Sequence, residues 1–208
     1  APEQYSVQDN VINNVHLGVG QYGGIASTNI ANNIVNTRYT QSVASVANGT
    51  VYRSPIAIDI RHSLTEYNPT GGFYIYFIGN NIAVNAKVGV GILSLSSDRH
   101  ELIKDNAVYF SNIDTSAVVN SDIHTGVGIW NENAKKTKLE GNYILGHPNV
   151  TGWLYRNRIG VFMNQSPACT LTCNKVKFTR YGFYAWGDNT TSKENITFNK
   201  FNANAYPW

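Results

Sequence analysis

A short pattern recurs along this chain and restricts its fold more than any other feature. Each copy begins with asparagine, continues through a short strand of alternating apolar and polar residues, bends at a glycine, and adds a second short strand before a polar loop. The stretch 173–189, CNKVKFTRYGFYAWGDN, shows the pattern most clearly. Other copies start at Asn33, Asn81, Asn120, Asn157 and Asn195. Such small units bury a continuous core only by stacking on one another, so the repeats predict a stacked architecture.

The spacing of the glycine bends indicates that the loops vary in length while the strand unit stays fixed. Gly91, Gly128, Gly160 and Gly182 follow one another at intervals of 37, 32 and 22 residues. In a coil of parallel strands, equivalent residues of successive turns lie about 4.8 Å apart, with apolar residues inside and asparagines stacked at the bends. At roughly 25 residues per turn, this pattern predicts an all-β solenoid of about seven or eight irregular rungs.

An antiparallel β-sandwich is the competing fold, because its strands also alternate. Sandwiches favour turn signals every 8–12 residues or so and tight Asn-Gly hairpins. Only Asn48–Gly49 supplies that dipeptide, so the solenoid is the favoured prediction, as a single domain over residues 1–208. No amphipathic capping helix precedes Asn10. We therefore expect either a fragment of a longer polypeptide or a protomer whose ends abut a partner.

Composition and charge exclude several classes of function. The 208 residues include 27 asparagines and 18 glycines, which favour turns over helices, and only 14% are charged. The net charge is +3 and the basic residues are scattered apart from Lys135, Lys136 and Lys138, so we expect no nucleic-acid partner. No apolar run reaches the roughly 18 residues of a membrane span, so none is expected.

The rung pattern and the C-x-L-x-C-N motif at residues 169–174 resemble the right-handed parallel β-helix of the pectate-lyase-like superfold. In particular, they are similar to the asparagine-rich repeats of secreted and surface-attached bacterial proteins. The resemblance covers about residues 10–201. It implies an extracellular or cell-surface protein with a structural or adhesive role. It implies no particular site, because the shared motif is a rung.

Strand alternation places several large aromatic side chains on the outside of the expected solenoid. With Ile129 and Phe183 pointing inward, the aromatic residues beside them point outward. The candidate ligand-binding residues are Tyr74, Tyr76, Trp130, Tyr184 and Trp186. If they occupy the same strand of successive rungs, they form one face that suits stacking on sugar rings or contact with a neighbouring protein subunit. The alternative is that long loops cover these rings.

Catalysis is the competing function. The β-helix lyases and hydrolases that act on polysaccharides carry clustered carboxylates with a basic residue on an outer sheet, and glycoside hydrolysis needs a carboxylate pair. Here the 13 acidic residues are dispersed, and the candidate catalytic residues are Asp59 with Arg61 and Asp122 with His124. The alternatives to a binding protein are thus a polysaccharide lyase or glycoside hydrolase, and a fibre subunit whose rods join end to end.

Cys169 and Cys173 allow two interpretations. A disulfide between them would close a small loop and fit an oxidising compartment, and it is the favoured prediction. Alternatively, both thiols lie on one strand, four residues apart, point the same way and are too distant to bond. Two cysteines without a nearby histidine make a poor zinc site. We expect no metal and no cofactor, with a calcium ion between outward aspartates left open.

Overall fold

All regular secondary structure in the described part of the chain is β-strand. The computed structural model describes residues 4–15, 17–22, 27–37, 55–61, 76–85, 89–95, 101–110, 126–134, 136–146, 158–187, 189, 196–197 and 199–202. Twenty strands lie in these ranges, and no helix does.

The strands follow one another in repeated triplets, and each triplet is one rung that adds a strand to each of three sheets, A, B and C. Sheet A contains β1 (Gln4–Gln8), β4 (Ser27–Ala31), β7 (Tyr76–Gly79), β10 (Glu101–Lys104), β13 (Thr137–Glu140), β16 (Thr170–Thr172) and β19 (Ile196–Thr197). Sheet B contains β2 (Val11–Val15), β5 (Ile34–Thr37), β8 (Ile82–Asn85), β11 (Ala107–Phe110), β14 (Tyr143–Leu145), β17 (Lys175–Lys177) and β20 (Lys200–Asn202). Sheet C contains β3 (Leu17–Tyr22), β6 (Ile56–Arg61), β9 (Val90–Leu95), β12 (Val127–Glu132), β15 (Ile159–Asn164) and β18 (Tyr181–Trp186).

The strand pairing confirms the predicted solenoid. Each strand pairs in parallel with the equivalent strand of the rung before or after it, as β12 does with β9 and β15. Hairpin-linked strands of a sandwich would run antiparallel. The described residues therefore form a parallel β-helix of six three-strand rungs, followed by a seventh to which β19 and β20 belong.

The core is built from side chains that repeat at one position of each rung. One inward column of sheet C consists of Val19, Ile58, Ile92, Ile129, Val161 and Phe183. Sheet A contributes Ile30, Ile78, Ile103, Leu139 and Leu171, and sheet B contributes Val35, Ala83, Val108, Ile144 and Val176. Burying each large aliphatic side chain contributes about 1.5–3 kcal/mol, which makes this stack the main source of stability.

The recurring glycines lie at the second position of five of the six described sheet C strands, and β6 has Ala57 there. At Gly91 and Gly128 a Cβ would be too close to neighbouring atoms. A Cβ on Gly128 would lie 2.5 Å from the carbonyl oxygen of Gly160 and 2.7 Å from Ile144 Cγ2. Gly91 meets Gly128 O and Val108 in the same way. The glycines therefore let sheet B side chains pack directly against the backbone of sheet C.

Asparagines form a ladder at the corner between sheets A and B. The members are Asn10, Asn33, Asn81, Asn106, Asn142, Asn174 and Asn199, one per rung. Asn106 shows the geometry. Its Nδ2 donates to Asn142 Oδ1 (3.0 Å) and to Ile78 O (2.8 Å), and its backbone N–H also donates to Asn142 Oδ1 (3.1 Å). This confirms the expected stacking of asparagines at the bends, while Asn120, Asn157 and Asn195 lie outside the described residues.

The residue before a ladder asparagine lets the chain turn from sheet A into sheet B, because its backbone is left-handed. Asp105, just before Asn106, has a φ of 54°, and this left-handed conformation suits Asp, Asn and Gly. The equivalent left-handed residues are Asp9, Asn32, Asn80, Gly141 and Cys173. Local sequence therefore specifies this corner in rung after rung.

Candidate functional site

The outer face of sheet C carries the aromatic residues that sequence alternation pointed to. Two columns of outward residues run along the solenoid, at the fourth and sixth positions of each strand, and first-position residues such as Val127 and Ile159 pack beside them. One column is Gly20, Asp59, Leu93, Trp130, Phe162 and Tyr184, and the other is Tyr22, Arg61, Leu95, Glu132, Asn164 and Trp186. Trp130, Tyr184 and Trp186 thus share one sheet face, as predicted.

Four rings on this face form a continuous strip. The Trp130 ring meets Phe162 edge-on at 5.2 Å between centroids, and Phe162 stacks on Tyr184 at 5.7 Å. Tyr184 lies 6.4 Å from Trp186. Phe162 is buried, Trp130 and Tyr184 are half-buried, and Trp186 is 57% exposed. The strip is therefore packed at its centre and open at Trp186.

Polar groups border the strip and hold it in place. The indole Nε1–H of Trp130 donates to Glu132 Oε2 at 2.9 Å. Asn164 Nδ2 donates to the other oxygen, Glu132 Oε1, at 3.1 Å. Both oxygens of Glu132 are thus occupied by groups that orient the ring. Beyond Asn164, the exposed Gln165 donates its backbone N–H to Trp186 O at 3.1 Å.

The predicted pair Asp59 and Arg61 does come together, at the other end of the same face. Arg61 Nε and Nη2 donate to the two oxygens of Asp59, each at 2.9 Å, and Tyr22 OH donates to Asp59 Oδ2 at 2.8 Å. Asp59 is only 1% exposed. Burial and the hydrogen bond to Asp59 raise the pKa of the Tyr22 phenol, and the hydrogen bond to Asp59 raises the pKa of Arg61. The arrangement is a closed ion pair, and it fills the oxygens that an acid–base catalyst would need.

Tyr76 requires a correction. The sequence placed its ring outside, yet Tyr76 is fully buried in the core, while Phe77 beside it is half-buried. Tyr76 opens β7 in register with Thr28 and Glu101, in an inward column that accepts polar atoms. The alternation was read with the wrong phase, because this inward column is not apolar. Tyr74, Asp122 and His124 lie outside the described residues.

The predicted disulfide is also wrong, since Cys169 and Cys173 are both free thiols. β16 runs extended between them, and four residues of strand span about 13 Å, whereas bonded cysteines need Cα atoms within about 7 Å. Cys169 points into the core, and Cys173 is exposed at the left-handed corner with a φ of 58°. The alternative is correct in that the two thiols are unbonded, and wrong in that they point the same way. The argument from a disulfide for an oxidising compartment is therefore removed.

Sequence reasoning missed a polar cluster inside the solenoid, where sheets C and A meet. We call Ser94, Glu101, Asn131, Thr137 and Cys169 the interior polar cluster. Ser94 Oγ and Thr137 Oγ1 donate to Glu101 Oε2 at 2.6 and 3.0 Å. Asn131 Nδ2 donates to Cys169 Sγ at 3.3 Å. The sequence does contain a signal for Glu101. It lies two residues before the apolar Ile103, so strand alternation predicts that both side chains point inward.

Burial dominates the protonation chemistry of this cluster. It raises the pKa of the Glu101 carboxyl to about 7, although the hydrogen bonds from Ser94 and Thr137 act in the opposite direction. Burial likewise raises the pKa of the Cys169 thiol to about 11. Below neutral pH, the core therefore holds a neutral carboxylic acid and a thiol.

Comparison of the chain with known proteins identifies no related protein. No protein-family model, no curated protein and no solved structure matches the chain. In the described ranges, no three His, Cys, Asp or Glu side chains cluster so that they could hold a metal ion together. A search of the same ranges finds no helix of the length and apolarity that a membrane crossing requires.

Proposed function

We propose that the outer face of sheet C binds an extended polysaccharide, and that the protein is a non-catalytic β-helix with a structural or adhesive role. The aromatic strip is the binding surface, centred on Tyr184 and Trp186. Because extended polysaccharides are mainly extracellular, the proposal places the protein at the cell surface or in the medium.

The observation that carries the proposal is the exposed end of the strip. Trp186 is 57% exposed, and its ring centre lies 6.4 Å from that of the half-buried Tyr184 on the same face. Adjacent rings on a rigid sheet present apolar faces at a fixed separation, which suits the apolar faces of consecutive sugar rings. The buried Phe162 stacks on Tyr184 at 5.7 Å and holds that ring in place, so little conformational entropy is lost on binding.

Two features supply the polar part of such a site. The exposed Gln165 donates its backbone N–H to Trp186 O at 3.1 Å, so this residue lies beside the open end of the strip. The Arg180 guanidinium lies 4.9 Å from the centre of the Tyr181 ring, which itself packs on Tyr184 at 5.2 Å. An amide and a guanidinium are groups that hydrogen-bond sugar hydroxyls and carboxylates.

A binding role is favoured over catalysis by the state of the Asp59 carboxylate on this face. Asp59 is buried and its oxygens accept hydrogen bonds from Arg61 and Tyr22. Proton transfer to a substrate would first have to break this ion pair. The proposal therefore assigns no catalytic step to Asp59 or Arg61.

Affinity measurements against a panel of neutral and uronic-acid polysaccharides test the proposal. We expect Trp186→Ala to weaken binding about tenfold, equivalent to about 1.4 kcal/mol, with a similar loss for Tyr184→Ala. Tyr143→Ala is the matched control. It removes a half-buried ring from the outer side of sheet B, where Lys175 Nζ lies 5.6 Å from the ring, and should leave binding unchanged.

Two results would contradict the proposal. The first is equal binding by the wild-type protein, Tyr184→Ala and Trp186→Ala. The second is release of shortened or unsaturated sugars from the panel, which would instead establish a hydrolase or lyase.

A further inference from the structure

The outer face of sheet B changes its chemistry along the solenoid. From the second rung to the seventh, the outward column at the first position of each strand is Ile34, Ile82, Ala107, Tyr143, Lys175 and Lys200. The outward column at the third position holds Asn13 and Asn36 in the first two rungs, and then Val84, Tyr109, Leu145 and Lys177. Aliphatic residues thus come first along this face, tyrosines follow in the fourth and fifth rungs, and lysines come last.

The aliphatic part of this face meets solvent although it lies between other rungs. Ile34 and Ile82 are each 37% exposed and lie side by side in register. Val84 is half-buried in the other column. Tyr109 and Tyr143 continue the patch, and their half-buried rings meet edge-on at 6.1 Å between centroids. A contiguous apolar patch on the outside of a sheet marks an interaction surface.

The lysines that follow have no acidic partner among the residues that the structure describes. Lys175 Nζ lies 5.6 Å from the centre of the Tyr143 ring. Lys200 is in register with Lys175, one strand spacing of about 4.8 Å away, and Lys177 points outward from the same strand as Lys175. Neighbouring like charges repel one another, and the seven described strands of sheet B contain no Asp or Glu.

The lysines on the outer face of sheet A differ in this respect. Lys104 Nζ lies 3.1 Å from Glu140 Oε1, and Lys138 contacts the other oxygen of the same carboxylate. The acidic corner residues Asp9 and Asp105 belong to the first and fourth rungs, away from the sheet B lysines. The basic end of sheet B therefore keeps a positive charge that an anionic partner can neutralise.

We propose that sheet B lies on the surface of a lipid bilayer that contains anionic lipids. Ile34 and Ile82 reach the boundary between headgroups and acyl chains, the tyrosines lie at the interface, and the lysines contact the lipid phosphates. A bilayer changes in the same order from acyl chain to headgroup, and tyrosine is enriched at its interface. Ile82 and Lys175 are three rungs apart, about 14 Å, so a tilt of the solenoid brings each to its preferred depth.

A bilayer is favoured as the partner because it accounts for both parts of the face. A soluble polyanion would neutralise the lysines and leave Ile34 and Ile82 in water. An apolar protein surface would cover Ile34 and Ile82 and leave the lysines without a counter-charge. The long stems of the lysines also let their ammonium groups reach the phosphates while the backbone lies at the apolar boundary. Sheet C is a different face, so this contact is separate from polysaccharide binding.

Co-sedimentation with phosphatidylcholine vesicles, with and without phosphatidylglycerol, tests the charged part. We expect the wild-type protein to bind the vesicles that contain phosphatidylglycerol far more tightly, and added salt should weaken this binding. Lys175→Gln combined with Lys177→Gln should weaken it about 25-fold, since each lysine near an anionic surface contributes about fivefold. Lys104→Gln combined with Lys138→Gln is the matched control. It removes the same charge from sheet A and should bind like the wild-type protein.

A second double variant tests the apolar part. Ile34→Thr combined with Ile82→Thr keeps two β-branched residues on the strands and makes the face more polar. We expect binding to the phosphatidylglycerol vesicles to weaken about tenfold, because less apolar surface leaves water, while the salt dependence remains. An unchanged β-type circular dichroism spectrum shows that each variant is folded.

Four outcomes would overturn the proposal. The first is that phosphatidylglycerol does not increase binding to the vesicles. The second is unchanged binding by the Lys175 and Lys177 variant, and the third is an equal loss in the Lys104 and Lys138 control. The fourth is unchanged binding by the Ile34 and Ile82 variant, which would instead indicate a site for soluble polyanions formed by the lysines alone. Polysaccharide binding is tested through residues of sheet C, so failure of either proposal leaves the other standing.

Discussion

Two sets of polar side chains are buried in the same solenoid, and they differ in how completely they are paired. In the asparagine ladder, Asn106 uses its Nδ2 hydrogens and its oxygen in hydrogen bonds with its neighbours. In the interior polar cluster, Glu101 Oε1 and Asn131 Oδ1 receive no hydrogen bond from any residue that the structure describes. The same core therefore contains one polar network that is satisfied and one that is not.

Repetition explains the difference. Identical asparagines at identical positions meet at the strand spacing of about 4.8 Å, where each side chain reaches the next one and the backbone between. The side chains of the interior polar cluster differ in length, and each type occurs once in the cluster. The acceptor oxygens of Glu101 and Asn131 therefore do not all lie within reach of a donor. A satisfied buried network stabilises a fold, whereas an incompletely paired one costs free energy. The comparison predicts that losing a central ladder asparagine destabilises the fold, whereas removing the ionisable group of Glu101 removes a cost that appears as pH rises towards neutral.

The largest expected effect comes from breaking the ladder at its centre. Asn106→Ala leaves the Asn81 N–H, the Asn81 Nδ2 and the Ile78 oxygen without this partner inside the protein. Each such group costs about 1–3 kcal/mol, so we expect the free energy of unfolding in urea to fall by about 4 kcal/mol or more. The control is Asn10→Ala at the exposed end of the ladder, with an expected loss below about 1 kcal/mol. Equal losses for the two variants would show that the ladder does not act through its pairing.

An intermediate effect is expected from pH, and it concerns the interior polar cluster. The pKa of Glu101 is about 7 in the folded protein against 4.5 in the unfolded chain. Between these values the unfolded chain has released the proton that the folded protein keeps, so ionisation favours unfolding as pH rises. Glu101 thus contributes full stability below about pH 4.5 and loses it up to about pH 7, a change of about 3 kcal/mol. Urea unfolding at a series of pH values measures it.

Glu101→Gln isolates this contribution, because the amide keeps the shape and cannot ionise. In this variant the decline in stability between acidic and neutral pH should flatten. Glu140→Gln is the control with the opposite sign. Hydrogen bonds from Lys138 and Lys104 lower the pKa of Glu140, so its contribution is lost as pH falls. A decline that persists unchanged in Glu101→Gln would mean that another group causes it.

The smallest expected effect is a difference in chemical reactivity between the two thiols, one of which lies in each region. Cys173 is exposed at the ladder corner, and Cys169 is buried in the cluster with a pKa raised to about 11. Because the thiolate is the reactive form, we expect an alkylating reagent at neutral pH to label Cys173 rapidly and Cys169 only after unfolding. Mass spectrometry of the digested protein measures the extent of alkylation at each cysteine over time. Equal labelling rates in the folded protein would contradict the assignment of Cys169 to the core.

Cys173 also allows a mild stabilisation to be tested. Its φ of 58° is a conformation that asparagine tolerates better than cysteine, and Asn32 and Asn80 occupy the same corner in other rungs. Cys173→Asn should raise the free energy of unfolding by roughly 0.5 kcal/mol. The paired change Cys169→Ser in the cluster should lower it, since a hydroxyl is smaller and more polar at a buried site.

Much of the fold follows from the sequence because the rung pattern is local and repeated. Asn33, Asn81 and Asn174 lie in the ladder as expected, and Gly91, Gly128 and Gly160 mark the same place in successive rungs. The shared outer face of Trp130, Tyr184 and Trp186 follows from the same period. The polysaccharide, the location outside the cell and the adhesive role remain predictions.

The misplacement of Tyr76 and the omission of the interior polar cluster share one cause, which is the assumption that inward columns are apolar. Tyr76 was placed outside because Phe77 looked like the core residue, although the column that Tyr76 joins also includes Thr28 and Glu101. The disulfide was favoured because of sequence proximity, although the intervening strand keeps the thiols apart.

The amino-acid sequence is sufficient to predict that this chain winds into stacked parallel rungs, because asparagine, glycine and apolar residues each favour a local backbone conformation or one side of the strand. The tertiary structure alone decided which polar residues share the interior, which rings stay exposed, and that Asp59 is bound to Arg61. Those outcomes depend on contacts between rungs, and loops of unequal length hide the register of such contacts from the linear sequence.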